Sequence, residues 1–233
     1  MHDVYVYGFI GDSWFGEAVT ARQFVSAINE GGGQPVTIHV NSGGGDVFEA
    51  AAMIDAIRQY KNRTGAKVTT SIEGLAASAA SYFALNADEV VMNESAFLMI
   101  HNPSSYRRGT ASDMRKCADL LDKVTDSIVS IYESKTGMGA EDLRRLMDEE
   151  TWFDAKDALE SGFIDSVSSG DPVEACLNQS ALSLFSNAPA RLVNSVAGER
   201  GGNIDADDTA KGPVDGGEAP RRLVCVKGIF LNE

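Results

Sequence analysis

Lys67-Val68-Thr69-Thr70-Ser71-Ile72-Glu73-Gly74-Leu75-Ala76-Ala77-Ser78-Ala79-Ala80-Ser81 is the stretch on which the reading of this chain turns. Residues 67–73 form a strand-like run, and the Ala-rich residues after the glycine predict a helix over 78–86. A serine placed where a strand becomes a helix has backbone N–H groups beside its hydroxyl and the positive end of the helix behind it. Such a position can prepare a nucleophile and an oxyanion site together, which makes Ser78 the first candidate. The spacing is not the Gly-x-Ser-x-Gly of a nucleophile elbow, and small residues also gather wherever helices pack closely. Ser81, one turn further on, is the rival hydroxyl.

Two other strand ends carry chemistry-bearing residues. Pro35-Val36-Thr37-Ile38-His39-Val40 is a short apolar strand running into Asn41-Ser42-Gly43-Gly44-Gly45-Asp46, after which 47–62 predicts a helix. Consecutive glycines let a backbone approach a ligand closely with its N–H groups aimed at it, so Gly43 and Gly45 are candidate substrate contacts. Ala96-Phe97-Leu98-Met99-Ile100 ends in His101-Asn102-Pro103, which sets His101 at a strand-to-loop boundary. His39 lies between Ile38 and Val40; alternation turns it to the face opposite theirs, as a structural histidine.

The remaining pattern places these ends in an α/β frame. Strand-like runs at 4–10, 36–40, 67–73, 88–92 and 96–100 alternate with helical segments at 17–30, 47–62 and 78–86, which implies parallel strands joined by crossover helices. Residues 112–134 set Met114, Ala118, Leu121, Thr125, Ile128 and Tyr132 on one helix face. After Val167 the character changes. Residues 187–220 are rich in Gly, Ala, Asp and Pro with no aromatic residue, and are expected to be largely irregular. Within the tail, 175–185 predicts a short helix and 223–230 an edge strand.

Composition narrows the function classes. A net charge of −14 argues against nonspecific nucleic-acid binding, and the pairs Arg107-Arg108, Arg144-Arg145 and Arg221-Arg222 are too small to reverse it. No apolar run approaches a membrane span, and the N-terminus shows no basic and apolar regions of a secretory signal. Cys117, Cys176 and Cys225 are widely spaced and outside any metal-ligand pattern; a reduced, cytoplasmic setting is expected, with no metal and no cofactor.

In chain order the candidates are a glycine loop, a serine at a helix start and a histidine at a strand end. With the closing run Ala155-Lys156-Asp157-Ala158-Leu159-Glu160-Ser161-Gly162-Phe163-Ile164-Asp165, these segments resemble the Clp protease proteolytic subunit family of ATP-dependent serine peptidases, and most of all the shorter Clp-like proteases of bacteriophage head maturation. The resemblance covers about residues 4 to 168 and implies a Clp protease/crotonase-like spiral of ββα units with 112–134 as a projecting handle helix. It divides the chain into a protease domain over 1–168 and a tail over 169–233. It also implies Ser78 as nucleophile, His101 as general base, and the N–H groups of Gly44 and Ala79 as the oxyanion hole. The family's catalytic aspartate falls on Thr151, a residue without charge, so Asp148, Glu149, Glu150 and Asp154 stand as alternative acids.

The function implied is a serine endopeptidase acting on polypeptides as a homo-oligomeric ring, in host cytoplasm or an assembling prohead, with capsid or scaffold proteins as substrates. A docked AAA+ unfoldase is not legible. Two other classes stay open: a crotonase-like acyl-CoA enzyme, since that architecture also pairs backbone N–H donors, and a catalytically weak ring-forming structural protein.

Overall fold

The computed structural model describes residues 1–12, 17–170 and 185–198. The strands are β1 (His2–Ile10), β2 (Ala18–Val19), β3 (Val36–Gly45), β4 (Val68–Ala77), β5 (Glu89–Asn93), β6 (Phe97–Ile100), β7 (Thr151–Phe153) and β8 (Ser166–Ser168). The helices are α1 (Ala21–Glu30), α2 (Val47–Thr64), α3 (Ala79–Ala84), α4 (Ala111–Thr136), α5 (Ala140–Asp148), α6 (Ala155–Glu160) and α7 (Ala190–Gly198). Strand order is β2-β1-β3-β4-β5-β8, and β6 pairs β4 on one edge and β7 on the other. Every pairing is parallel except β6 with β7.

β4 is the hinge of the architecture. Its first half pairs β5 (Thr69 opposite Glu89) and its second half pairs β6 (Leu75 opposite Phe97), so β5 and β6 follow one another along the same edge. This delivers the chain ends after β3, β4 and β6 to one end of the sheet, the rule for binding sites in parallel α/β folds. Val4, Val6, Ile38, Val40, Val68 and Ile72 point inward at 2 % exposure or less, under α1, α2 and α3. Burying each such side chain is worth roughly 1.5–3 kcal/mol, which fixes register, since a one-residue slip would turn them all to water.

Helix limits follow local chemistry. α1 begins at a capping box between Thr20 and Gln23, and Asp46 caps α2 by accepting from Phe48 and Glu49. α4 opens on a Thr110–Asp113 box and stops at Gly137 in the left-handed conformation. Only its C-terminal half is sealed on the domain, through Ile128, Val129 and Tyr132. Met114 near its start is exposed, so the apolar face expected over 112–134 is divided between core contact and open surface.

Several expectations need adjustment. Residues 18–20 form β2 and a helix cap instead of part of α1, which begins at Ala21. The glycine run is the irregular end of β3, with a register shift between Val40 and Ser42, and not a separate loop. β7 has no counterpart in the sequence reading, and its antiparallel pairing departs from the all-parallel expectation. Ala190–Gly198 is helical where composition predicted an irregular chain; burial of Leu192 against the sheet supplies what propensity did not. The helix expected over 175–185, apart from residue 185, and the strand over 223–230 lie outside the described residues. Among the described residues no helix is long and apolar enough to cross a membrane, and no group of three or more His, Cys, Asp or Glu could hold a metal ion.

Candidate active site

Ser78 stands between β4 and α3 with φ 56° and ψ −125°, a conformation that L-residues avoid. Strain of this kind costs about 1–3 kcal/mol and persists only where the surroundings over-determine it. They do here. Its N–H donates to the Met99 carbonyl at 3.0 Å, and its own carbonyl accepts from Ser81 N–H at 3.1 Å and from Ser81 Oγ at 2.7 Å. Pinned at both peptide groups, the residue turns its side chain out of the sheet toward the end of β6. There His101 Nε2 lies 2.7 Å from Ser78 Oγ. Both residues are half-buried, reachable from solvent yet shielded.

The glycine run comes up against this corner from β3. Gly44 has φ 93°, and a Cβ added to it would stand 2.6 Å from the Ala77 carbonyl oxygen, 2.8 Å from Ser78 Cβ and 2.9 Å from Ala79 N. Only glycine permits that approach. The N–H of Gly44 donates to Ser42 Oγ at 3.1 Å, while Ser42 Oγ donates to the Gly8 carbonyl at 2.6 Å. Ala79 opens α3, so its N–H is among the helix donors that have no intrahelical acceptor. Gly45, at φ 153°, lies against the backbone of Ile10 and borders a cleft shared with Val47, Tyr82, Ile128 and Pro103 beside Ser78 and His101. Gly43 sits between Ser42 and Gly44 and is half-buried.

Thr151 reaches the site by pairing, opposite Ile100, which precedes His101. Its hydroxyl donates to the Leu146 carbonyl at 2.6 Å. With the proton so committed, the oxygen has only lone pairs to offer elsewhere. Among the alternative acids, Asp148 accepts from Asn102 Nδ2 at 2.6 Å, and Glu149 is exposed, 4.0 Å from Arg145. Asp154 caps α6. Glu150 is buried, at φ 50°, and its Oε1 accepts from the Asn187 N–H at 2.7 Å.

The rival hydroxyl is sealed. Ser81 is fully buried, its Oγ shared between the Ser78 carbonyl and the Tyr132 hydroxyl at 2.9 Å, and burial pushes the Tyr132 phenol well above its ordinary range. His39 is remote from this end of the sheet; it bridges Asp3 at 3.1 Å and Glu73 at 2.7 Å under the stacked ring of Tyr5. Sequence reading quoted Ser42 within its motif without a role; its bridge from Gly8 to Gly44 depends on the register shift in β3, which no local pattern announces. Phe185, whose ring lies 6.1 Å from that of His101, carried no signal because the two residues are far apart in sequence.

The arrangement offers a strained serine, an imidazole at hydrogen-bond distance and backbone N–H groups close by, the parts from which acyl transfer is built. A family model described as Clp protease matches residues 5–171. The ATP-dependent Clp protease proteolytic subunit 1 of Chlamydia muridarum is 31% identical over 165 residues, covering 66% of this chain and 84% of the relative. Its counterpart from Protochlamydia amoebophila is 32% identical over 139 residues, 58% of this chain and 66% of the relative. Subunit 2 from Thermobifida fusca is 34% identical over 139 residues, 59% of this chain and 66% of the relative.

Proposed function

The chain belongs to the Clp protease family and is a peptidase, and from that we propose a serine endopeptidase in which Ser78 is the nucleophile and His101 the general base. The observation that carries this reading is the 2.7 Å contact between Ser78 Oγ and His101 Nε2. His101 takes the hydroxyl proton as Ser78 Oγ attacks the scissile carbonyl, and returns it to the leaving amine; water then repeats the sequence on the acyl-enzyme. The oxyanion that forms is met by the N–H of Ala79 and, once it turns from Ser42 Oγ, that of Gly44. Gly43 and Gly45 offer backbone to the substrate strand. Thr151 serves as a neutral orienting group for the imidazole, supported by its place opposite Ile100 and the commitment of its proton to Leu146.

Enclosure in a homo-oligomeric ring belongs to the same proposal. The exposed start of α4, with Met114, offers contact surface beyond the half that packs on the domain. The substrates proposed are capsid or scaffold polypeptides during phage head maturation, in the host cytoplasm or the prohead, on the strength of the resemblance to the short phage-type chains. The Ser-His contact weighs against an acyl-CoA enzyme, which has no use for an activated hydroxyl at this position. Peptide and capsid-protein cleavage by wild type, Ser78→Ala and His101→Ala, with assembly followed by sedimentation, tests the reading. Both variants should assemble and neither should cut. Full turnover by either, or a flat pH profile between about 5 and 8, would overturn it.

A further inference from the structure

The residues after the family match come back to the site. Phe185 sets its ring 6.1 Å from that of His101, tilted by 54°, and 5.4 Å from that of Trp152 at 90°. Two residues on, Asn187 donates its N–H to Glu150 Oε1 at 2.7 Å and its side-chain amide to the Glu149 carbonyl at 2.8 Å. Leu192, 5% exposed, packs with Leu75, Ala77 and Met99. These contacts fall on the ends of β4 and β6, just before Ser78 and His101, and on the left-handed corner at Glu150 that feeds Thr151 into β7. The family model matches residues 5–171, so Phe185, Asn187 and Leu192 lie outside the matched region.

We propose that residues 185–192 form a clip that completes the active site, with Phe185 as a positioning residue that holds the His101 imidazole toward Ser78. The cleft beside Ser78, lined by Val47, Tyr82 and Ile128, does not include Phe185, so the clip braces the imidazole without occupying that cleft. Two features make the contact consequential. Phe185, itself held edge-to-face by Trp152, meets the imidazole at a tilted angle, an aromatic contact with a directional preference that a merely greasy cover lacks. The Asn187 bonds hold a backbone corner whose conformation is unfavourable by itself, and that corner carries the strand paired with Ile100.

The inference rests on His101 being the base, and the test separates the two. In the full chain, Phe185→Ala should lower the rate of Ser78 acylation by a fluorophosphonate and the kcat for a short peptide by about tenfold, with KM within about twofold, because orientation is lost and binding is not. Phe185→Tyr should restore most of the rate. In a His101→Ala background, Phe185→Ala should change the residual labelling by less than about twofold, since a residue acting through the imidazole has nothing left to act on. If wild type labels at Ser78 and Phe185→Ala labels equally fast, or if the tenfold loss persists without His101, the clip is refuted while the Ser-His assignment stands. Absence of wild-type labelling at Ser78 would remove both.

Discussion

Ser78 and Thr151 lie at neighbouring corners of one site, yet they are held in different ways. Ser78 comes off a ten-residue strand paired on both edges, in a strained conformation fixed by bonds to Met99 and Ser81. Thr151 opens a three-residue antiparallel strand at the sheet's edge, reached through Glu150 at φ 50° and braced by a segment beyond the family match. On the proposed assignment the nucleophile is thus a property of the parallel core, and the third position a property of the periphery. On that assignment, a peripheral corner is where a carboxylate can be exchanged for a hydroxyl without disturbing the fold.

The largest effect expected from breaking the core corner is Ser78→Ala, which should cut peptide turnover at least about 10⁴-fold while the melting temperature holds or rises as the side chain leaves a tight site. Next comes Gly44→Ala. Its Cβ would meet the Ala77 carbonyl at 2.6 Å at a backbone φ of 93°, so β3 must withdraw from Ala79. Turnover should fall about 10²-fold, the usual cost of an oxyanion donor, with stability lowered by roughly 1–3 kcal/mol. A Gly44→Ala variant with full turnover would detach the glycine run from the chemistry.

The peripheral corner should respond more weakly. Thr151→Ala removes one neutral hydrogen-bonding group, worth about 1 kcal/mol, and should lower kcat by five- to tenfold. Glu150→Gln keeps an acceptor for the Asn187 N–H but loses the charge, and should leave kcat within about twofold. A loss of several orders of magnitude in Glu150→Gln, with Thr151→Ala silent, would transfer the third role to the carboxylate.

The legibility of the sequence follows the same division. Strand-to-helix change at Ser78 and strand end at His101 are local events, written in alternation, alanines and a proline within a few residues, and they were readable. So was the outward turn of His39, by alternation alone. β7 is three residues long and made a strand by Ile100 and Leu98, more than fifty residues earlier in sequence, so no short window contains its cause. α7 was hidden for a related reason: its tail composition predicts no core, but Leu192 borrows one from Leu75, Ala77 and Met99. The family resemblance also pointed to Gly44 and Ala79, which the structure brings beside Ser78, but not to the Ser42 bond that the proposed oxyanion role requires Gly44 N–H to leave.

The smallest effect lies at the far end of the sheet. Burial lowers the His39 pKa, but the hydrogen bonds and charges of Asp3 and Glu73 outweigh it, and the net shift is upward from 6.5. A raised folded-state value stabilises the protein fully below about pH 6.5, and that contribution is lost as pH rises through the higher folded value. His39→Gln should therefore flatten the decline in unfolding free energy above pH 6.5, by less than about 1 kcal/mol, and leave turnover unchanged. A change in kcat would link the two ends of the sheet.

Mass-spectrometric mapping of fluorophosphonate adducts on the full chain tests the central claim most directly. The Ser78–His101 pair predicts one modified residue, Ser78, in wild type, and no adduct in Ser78→Ala, where Ser81 stays sealed under Tyr132. An adduct on Ser81, or an unmodified Ser78 in an assembled and folded protein, would contradict it.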